Sequence, residues 1–237
     1  NTARSPRRGR TRACLSATAY MRSFTGRSSK IGNERNKVTE MLVLKKAKPK
    51  DVRNYYGLLR YEFRKPELVP HLNIQSAVRR DEMELLLISD DRVNVVVAYA
   101  FVSHRGMYGY PLINYFCVMP WYREGGYREN SLHLIIDRYR DKQGLLIELP
   151  EYEGGEVNFD STKEFYENFG FEEVPCRYYK NGIKTHILNC PLKSRKSAEG
   201  IIGRIIPEIY ERSIGSAVLL RNIRIERAVN ISAGQEN

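Results

Sequence analysis

The sequence is poor in the residues that build metal centres and covalent frameworks. It has four cysteines (Cys14, Cys117, Cys176, Cys190) and four histidines (His71, His104, His133, His186), and neither set falls into paired spacings. This argues against a zinc site and against a disulfide scaffold, so no metal is expected and a reducing cytoplasm is the expected home. No apolar run approaches the roughly 18 residues that cross a bilayer, so no transmembrane segment is expected. Acidic residues are missing altogether before Glu34.

The excess of base is unevenly spread. The formal charge is +11 over 237 residues, but residues 1–40 carry 10 Lys/Arg against 2 Asp/Glu, residues 193–237 carry 8 against 5, and residues 41–192 carry 21 of each. The central stretch is neutral and needs no basic groove. Nucleic acid is therefore suggested as a partner by the tails alone. Residues 1–40 read as a basic disordered arm, a transit segment or sequence translated upstream of a start at Met41. Residues 41–192 form the expected domain. Residues 193–237 form an extension with apolar residues at roughly helical spacing from Ile201, weakened by Pro207. That extension is open to four roles: packing on the domain, homodimer formation, contact with a membrane surface, or no native role.

Periodicity predicts alternating elements in the domain. A strand is expected over Met41–Ala47, and helices over Pro49–Arg64 and Glu67–Arg79. Strands are expected over Glu84–Ser89 and Val93–Ser103, joined at Asp90-Asp91-Arg92, and over Leu112–Val118. A helix over Glu129–Lys142 leads to an apolar strand, Leu145–Leu149, with the character of a buried parallel neighbour. A short helix over Ser161–Asn168 precedes strands over Phe171–Lys180 and Ile183–Leu192, joined at Asn181-Gly182. The class is mixed α/β.

Between strand and helix lies Tyr122-Arg-Glu-Gly-Gly-Tyr-Arg128. Glycines there let backbone amides approach an anion at the positive end of a helix, although a bare tight turn has the same signature. Taken with Tyr115-Phe-Cys-Val118, Pro120 and the later Glu164-Phe-Tyr-Glu-Asn-Phe-Gly-Phe171, the loop resembles the acetyl-coenzyme A dependent N-acetyltransferase superfamily, commonly called GNAT. The R-x-x-G-x-G/A motif of that family falls on Arg123, Gly126 and Arg128, with Arg128 where a small residue is usual. The resemblance covers about residues 41–192. It implies a mostly antiparallel sheet with a splayed central parallel pair flanked by helices. It also implies acetyl-CoA as cosubstrate and a primary amine, on a small molecule or a protein, as acceptor.

The resemblance further implies that Phe116, Cys117 and Val118 contact pantetheine through their main chain. The loop Arg123, Glu124, Gly125, Gly126, Tyr127 and Arg128 would hold the pyrophosphate, and Asn158 would lie near the coenzyme. Tyr166 matches the tyrosine that protonates the leaving thiolate; its other reading is aromatic packing with Phe165 and Phe169. Where many members carry a strand glutamate as general base, this chain has Asn114, and an amide takes no proton at neutral pH. The base must then come from elsewhere, or the chain is a degenerate coenzyme-binding module. Cys117 reads as a small strand hydrophobe more readily than as a nucleophile. The acidic run from Glu148 to Asp160, with Glu151, Glu153 and Glu156, is either a solvated loop or an attractor for a cationic amine.

Overall fold

The computed structural model describes residues 42–106, 108–152, 159–193, 200–215 and 223–227. Among these, nine strands join in one sheet: β1 (Leu42–Lys46), β2 (Met83–Asp90), β3 (Val95–Ser103), β4 (Leu112–Val118), β5 (Gly144–Pro150), β6 (Glu172–Glu173), β7 (Cys176–Lys180), β8 (Ile183–Pro191) and β9 (Ile223–Arg227). The order is β1-β2-β3-β4-β5-β8-β7-β9, with β6 also on β8. The β4–β5 pair is parallel, while its neighbours β3–β4 and β5–β8 are antiparallel. The expected fold class holds.

Alternation along the strands builds a core on each face. Leu85 on β2 and Tyr99, Phe101 on β3 meet α1 (Val52–Glu62), α2 (His71–Arg79) and α5 (Ile202–Ile214) on one side. Leu86, Ile88, Ala98, Ala100 and Val102 meet α3 (Tyr127–Arg138) and α4 (Phe159–Glu167) on the other. No helix among the described residues is long and apolar enough to cross a membrane.

Several boundaries differ from expectation for identifiable reasons. The second helix begins at His71 rather than Glu67, because Pro66 and Pro70 hold a 3-10 turn and an extended link before it. The strand expected over Phe171–Lys180 divides into β6 and β7 around Pro175, which lacks the amide a ladder needs. Beyond Leu192, α5 and β9 join the same core and sheet: Ile202, Ile205, Ile206, Ile209 and Tyr210 are buried, and β9 pairs with β7. A helix-interior proline costs about 3 kcal/mol. Each buried isoleucine contributes about 1.5–3 kcal/mol, so four of them outweigh Pro207.

Candidate functional site

The parallel pair positions the site. β4 and β5 are in register only at Leu112↔Leu146 and Ile113↔Ile147. Beyond these residues β5 continues against β8 and β4 continues against β3, so the two strands part. A bulge deepens the opening: Tyr115 lies opposite Phe101 and Ile113 opposite Val102, leaving Asn114 as the extra residue. Ile113 accordingly packs with α3 and α4, while Tyr115 packs with α1 and α2, although both would share a face of a regular strand. The fork opens into a cleft walled by Asn114 to Val118 on β4 and by Ile147 to Pro150 on β5.

At one end of the cleft is the glycine loop. Gly125 and Gly126 have φ of +80° and +81°, a left-handed turn that a side chain would strain. The Asn130 amide bonds back to the Gly126 carbonyl at 3.0 Å. The amides of 127, 128 and 129 at the start of α3 therefore precede the helical ladder. Arg123 lines the cleft and donates to the Glu62 carboxylate at 2.5 Å. Burial pushes the Glu62 carboxyl above its ordinary pKa, against the pull of Arg123. Glu124 is exposed. Tyr127 points to the β2–β3 hairpin, its hydroxyl donating to Asp90 at 3.1 Å. Arg128 lines the cleft with its guanidinium carbon 3.6 Å from the centre of the Phe165 ring, and its charge acts on the Tyr166 phenol.

Tyr166 is buried on α4 and lines the same cleft. Desolvation raises its phenol pKa, and the Arg128 charge works against that rise. Phe116 and Cys117 are buried, and both line the cleft with Val118. Burial drives the Cys117 thiol far above its ordinary range, which keeps it protonated and unsuited to nucleophilic attack. Asn114 is fixed at the bulge: its Oδ1 accepts from the Ser103 amide at 3.0 Å and the Ser103 hydroxyl at 2.7 Å.

The other end is polar and was not legible in the sequence. Glu148, on β5 one residue past the last parallel pair, accepts from Tyr178 at 2.8 Å, Lys180 at 2.6 Å and Tyr210 at 2.6 Å. Glu67 reaches the cleft from the link between α1 and α2. Tyr115 holds that link to β4, its hydroxyl donating to the Glu67 carbonyl at 2.9 Å and accepting from the Val69 amide at 2.8 Å. Glu148 opened the acidic run noted above, but no local pattern distinguished it from its neighbours or marked Glu67. Glu151 lies outside the cleft lining; its carboxylate accepts from Lys184 at 2.6 Å and meets His186 at 2.7 Å. Glu153, Glu156 and Asn158 lie outside the described residues.

Among solved structures, the chain is similar to a protein from Bacteroides thetaiotaomicron assigned to the GNAT acetyltransferases, with TM-score 0.61 and 16% identity over 73% of this chain and 99% of that one. The fold is that of the GNAT acetyltransferases. A mutant form of the spermidine N-acetyltransferase SpeG of Vibrio cholerae is a more distant likeness within this GNAT fold: TM-score 0.50 and 10% identity over 65% of this chain and 95% of that one. No family profile matches the sequence, and no curated protein does. The fork, bulge and glycine loop thus form the centre of a GNAT fold carried by a sequence with few residues in common with these two neighbours.

Proposed function

We propose that the chain is a member of the GNAT superfamily that passes the acetyl group of acetyl-CoA to a primary amine by direct attack in a ternary complex. The observation that carries this reading is one continuous cleft at the β4–β5 fork, with the glycine loop at one end and the carboxylates Glu67 and Glu148 at the other.

The residues present fit such a cosubstrate. The left-handed glycines and the first amides of α3 suit a pyrophosphate, because main-chain donors are oriented at no side-chain cost. Past Ile113, the edge of β4 that turns from β5 offers backbone groups to an extended chain such as pantetheine. When bound, acetyl-CoA supplies an activated thioester carbonyl. Tyr166 donates its proton toward the departing sulfur, and its elevated pKa keeps it protonated at neutral pH. Asn114, already bonded to Ser103, orients the bulge and takes no proton. Glu67 favours a cationic acceptor more directly than Glu151 does, since Glu67 lines the cleft whereas Glu151 lies outside its lining and is engaged by Lys184 and His186.

Titration with acetyl-CoA, followed by thiol release with a panel of primary amines, tests the proposal. Binding with turnover on at least one amine is expected, with kcat reduced about 100-fold in Tyr166→Phe. Absence of acetyl-CoA binding overturns the family reading, and binding without turnover on any amine favours a coenzyme-binding module.

A further inference from the structure

The cleft needs a base, and its three acidic side chains differ in what they already hold. Glu62 is paired with the Arg123 guanidinium at 2.5 Å. Glu148 already accepts from an ammonium and two phenols, so its oxygens are taken up by donors within the fold. Glu67 is different. The donor that fixes its carboxylate is the neutral Arg64 amide, at 3.0 Å on Oε1, and the Tyr152 phenol lies beside it. Resting on the acetyltransferase reading above, we propose that Glu67 is the general base for the acceptor amine, in place of the strand carboxylate that Asn114 does not provide.

Its placement suits that task. Tyr115, the residue after Asn114, ties the Glu67 carbonyl and the Val69 amide to β4, so the link carrying Glu67 is registered to the bulge. Glu67 lines the same cleft as Tyr166, and Arg128 of the glycine loop lies over Phe165, next to Tyr166 in the chain. The charged and titratable groups facing it include Arg64 on its own link, Tyr115 on β4, Tyr152 beyond β5 and Lys180 on β7. Burial raises the Glu67 pKa, more than the nearby Tyr152 phenol, the Arg64 amide and the charges of Lys180 and Arg64 lower it. A carboxylate shifted in this direction is a better match to an ammonium near neutral pH than an unperturbed one.

Glu67 takes one proton from R–NH3+ to give the free amine, whose lone pair forms the new bond to the thioester carbon. The C–S bond then breaks with its electron pair on sulfur, and the thiolate takes the Tyr166 proton. The acylated nitrogen loses its second proton to solvent, Tyr166 regains one from solvent, and Glu67 releases the proton it holds. One ammonium and one thioester become one amide, one thiol and one released proton.

The test compares wild type with Glu67→Gln on two acceptors: the best linear alkylamine of the panel, protonated at assay pH, and hydroxylamine, already largely neutral there. The expected result is a loss of about 100-fold in kcat/KM with the alkylamine and little loss with hydroxylamine. The alkylamine defect should shrink as pH rises and free amine accumulates, and acetyl-CoA affinity and melting temperature should stay near wild type. Equal losses on both acceptors would assign Glu67 a structural role and overturn the proposal, as would full activity of Glu67→Gln on the alkylamine. Either result would leave the acetyltransferase reading standing. A wild-type protein that bound acetyl-CoA and released thiol with neither acceptor would overturn both.

Discussion

Arg128 stands where the loop motif has glycine or alanine, and its guanidinium lies over the Phe165 ring, where its charge acts on Tyr166. This side chain connects the loop to the helix of the proposed acid. A cation over an aromatic ring in a desolvated site is worth about 2 kcal/mol in holding that ring, and 1.4 kcal/mol is about tenfold in rate. Arg128→Ala should therefore lower kcat about tenfold or more while leaving acetyl-CoA affinity near wild type. The pH profile carries the sign. Tyr166 must keep its proton to donate it, and the Arg128 charge lowers its pKa, so removing Arg128 should move the basic limb of kcat to higher pH. A loss confined to acetyl-CoA affinity, seen by titration calorimetry, would instead assign Arg128 to the phosphates.

Elements far apart in sequence fix the loop and the cleft floor. Tyr127, the first residue of α3, bonds to Asp90 at the end of β2, which also accepts from Arg92 at 2.6 Å. The Asp90 carboxyl is held down to about 2 from 3.8, chiefly by hydrogen bonding from Arg92. A depressed folded pKa stabilises the fold above the unfolded value, and that contribution disappears as pH falls through the folded one. Melting temperature should fall between about pH 4 and 2, and less steeply in Asp90→Asn. On α5, Ile209 is buried beside Tyr210, whose hydroxyl holds Glu148. Ile209→Ala should cost about 2–5 kcal/mol in denaturant unfolding, because it leaves a cavity on the sheet.

At the scale of the whole molecule, α5 and β9 complete the sheet face that α1 and α2 cover only in part. A chain ending at Leu192 should bind an apolar dye and lose its cooperative melt, whereas an independent tail would leave both unchanged. Much of the fold was legible locally. The alternation in β2 and β3 fixed which side chains face each helix layer, and Asn181-Gly182 supplies the two positive φ values, 52° and 78°, of a tight hairpin. The glycine loop and the Phe-Tyr-Glu helix also announced themselves, since turn chemistry and side-chain period are set by near neighbours. The bulge at Asn114, the grouping of Glu148 with Lys180 and Tyr210, and the direction of Arg128 were not. The sequence by itself determined the elements and the loop that can cradle an anion. Only the tertiary structure decided which carboxylates meet a cation and which is left with neutral donors, because burial and charge pairing are properties of residues brought together across the chain.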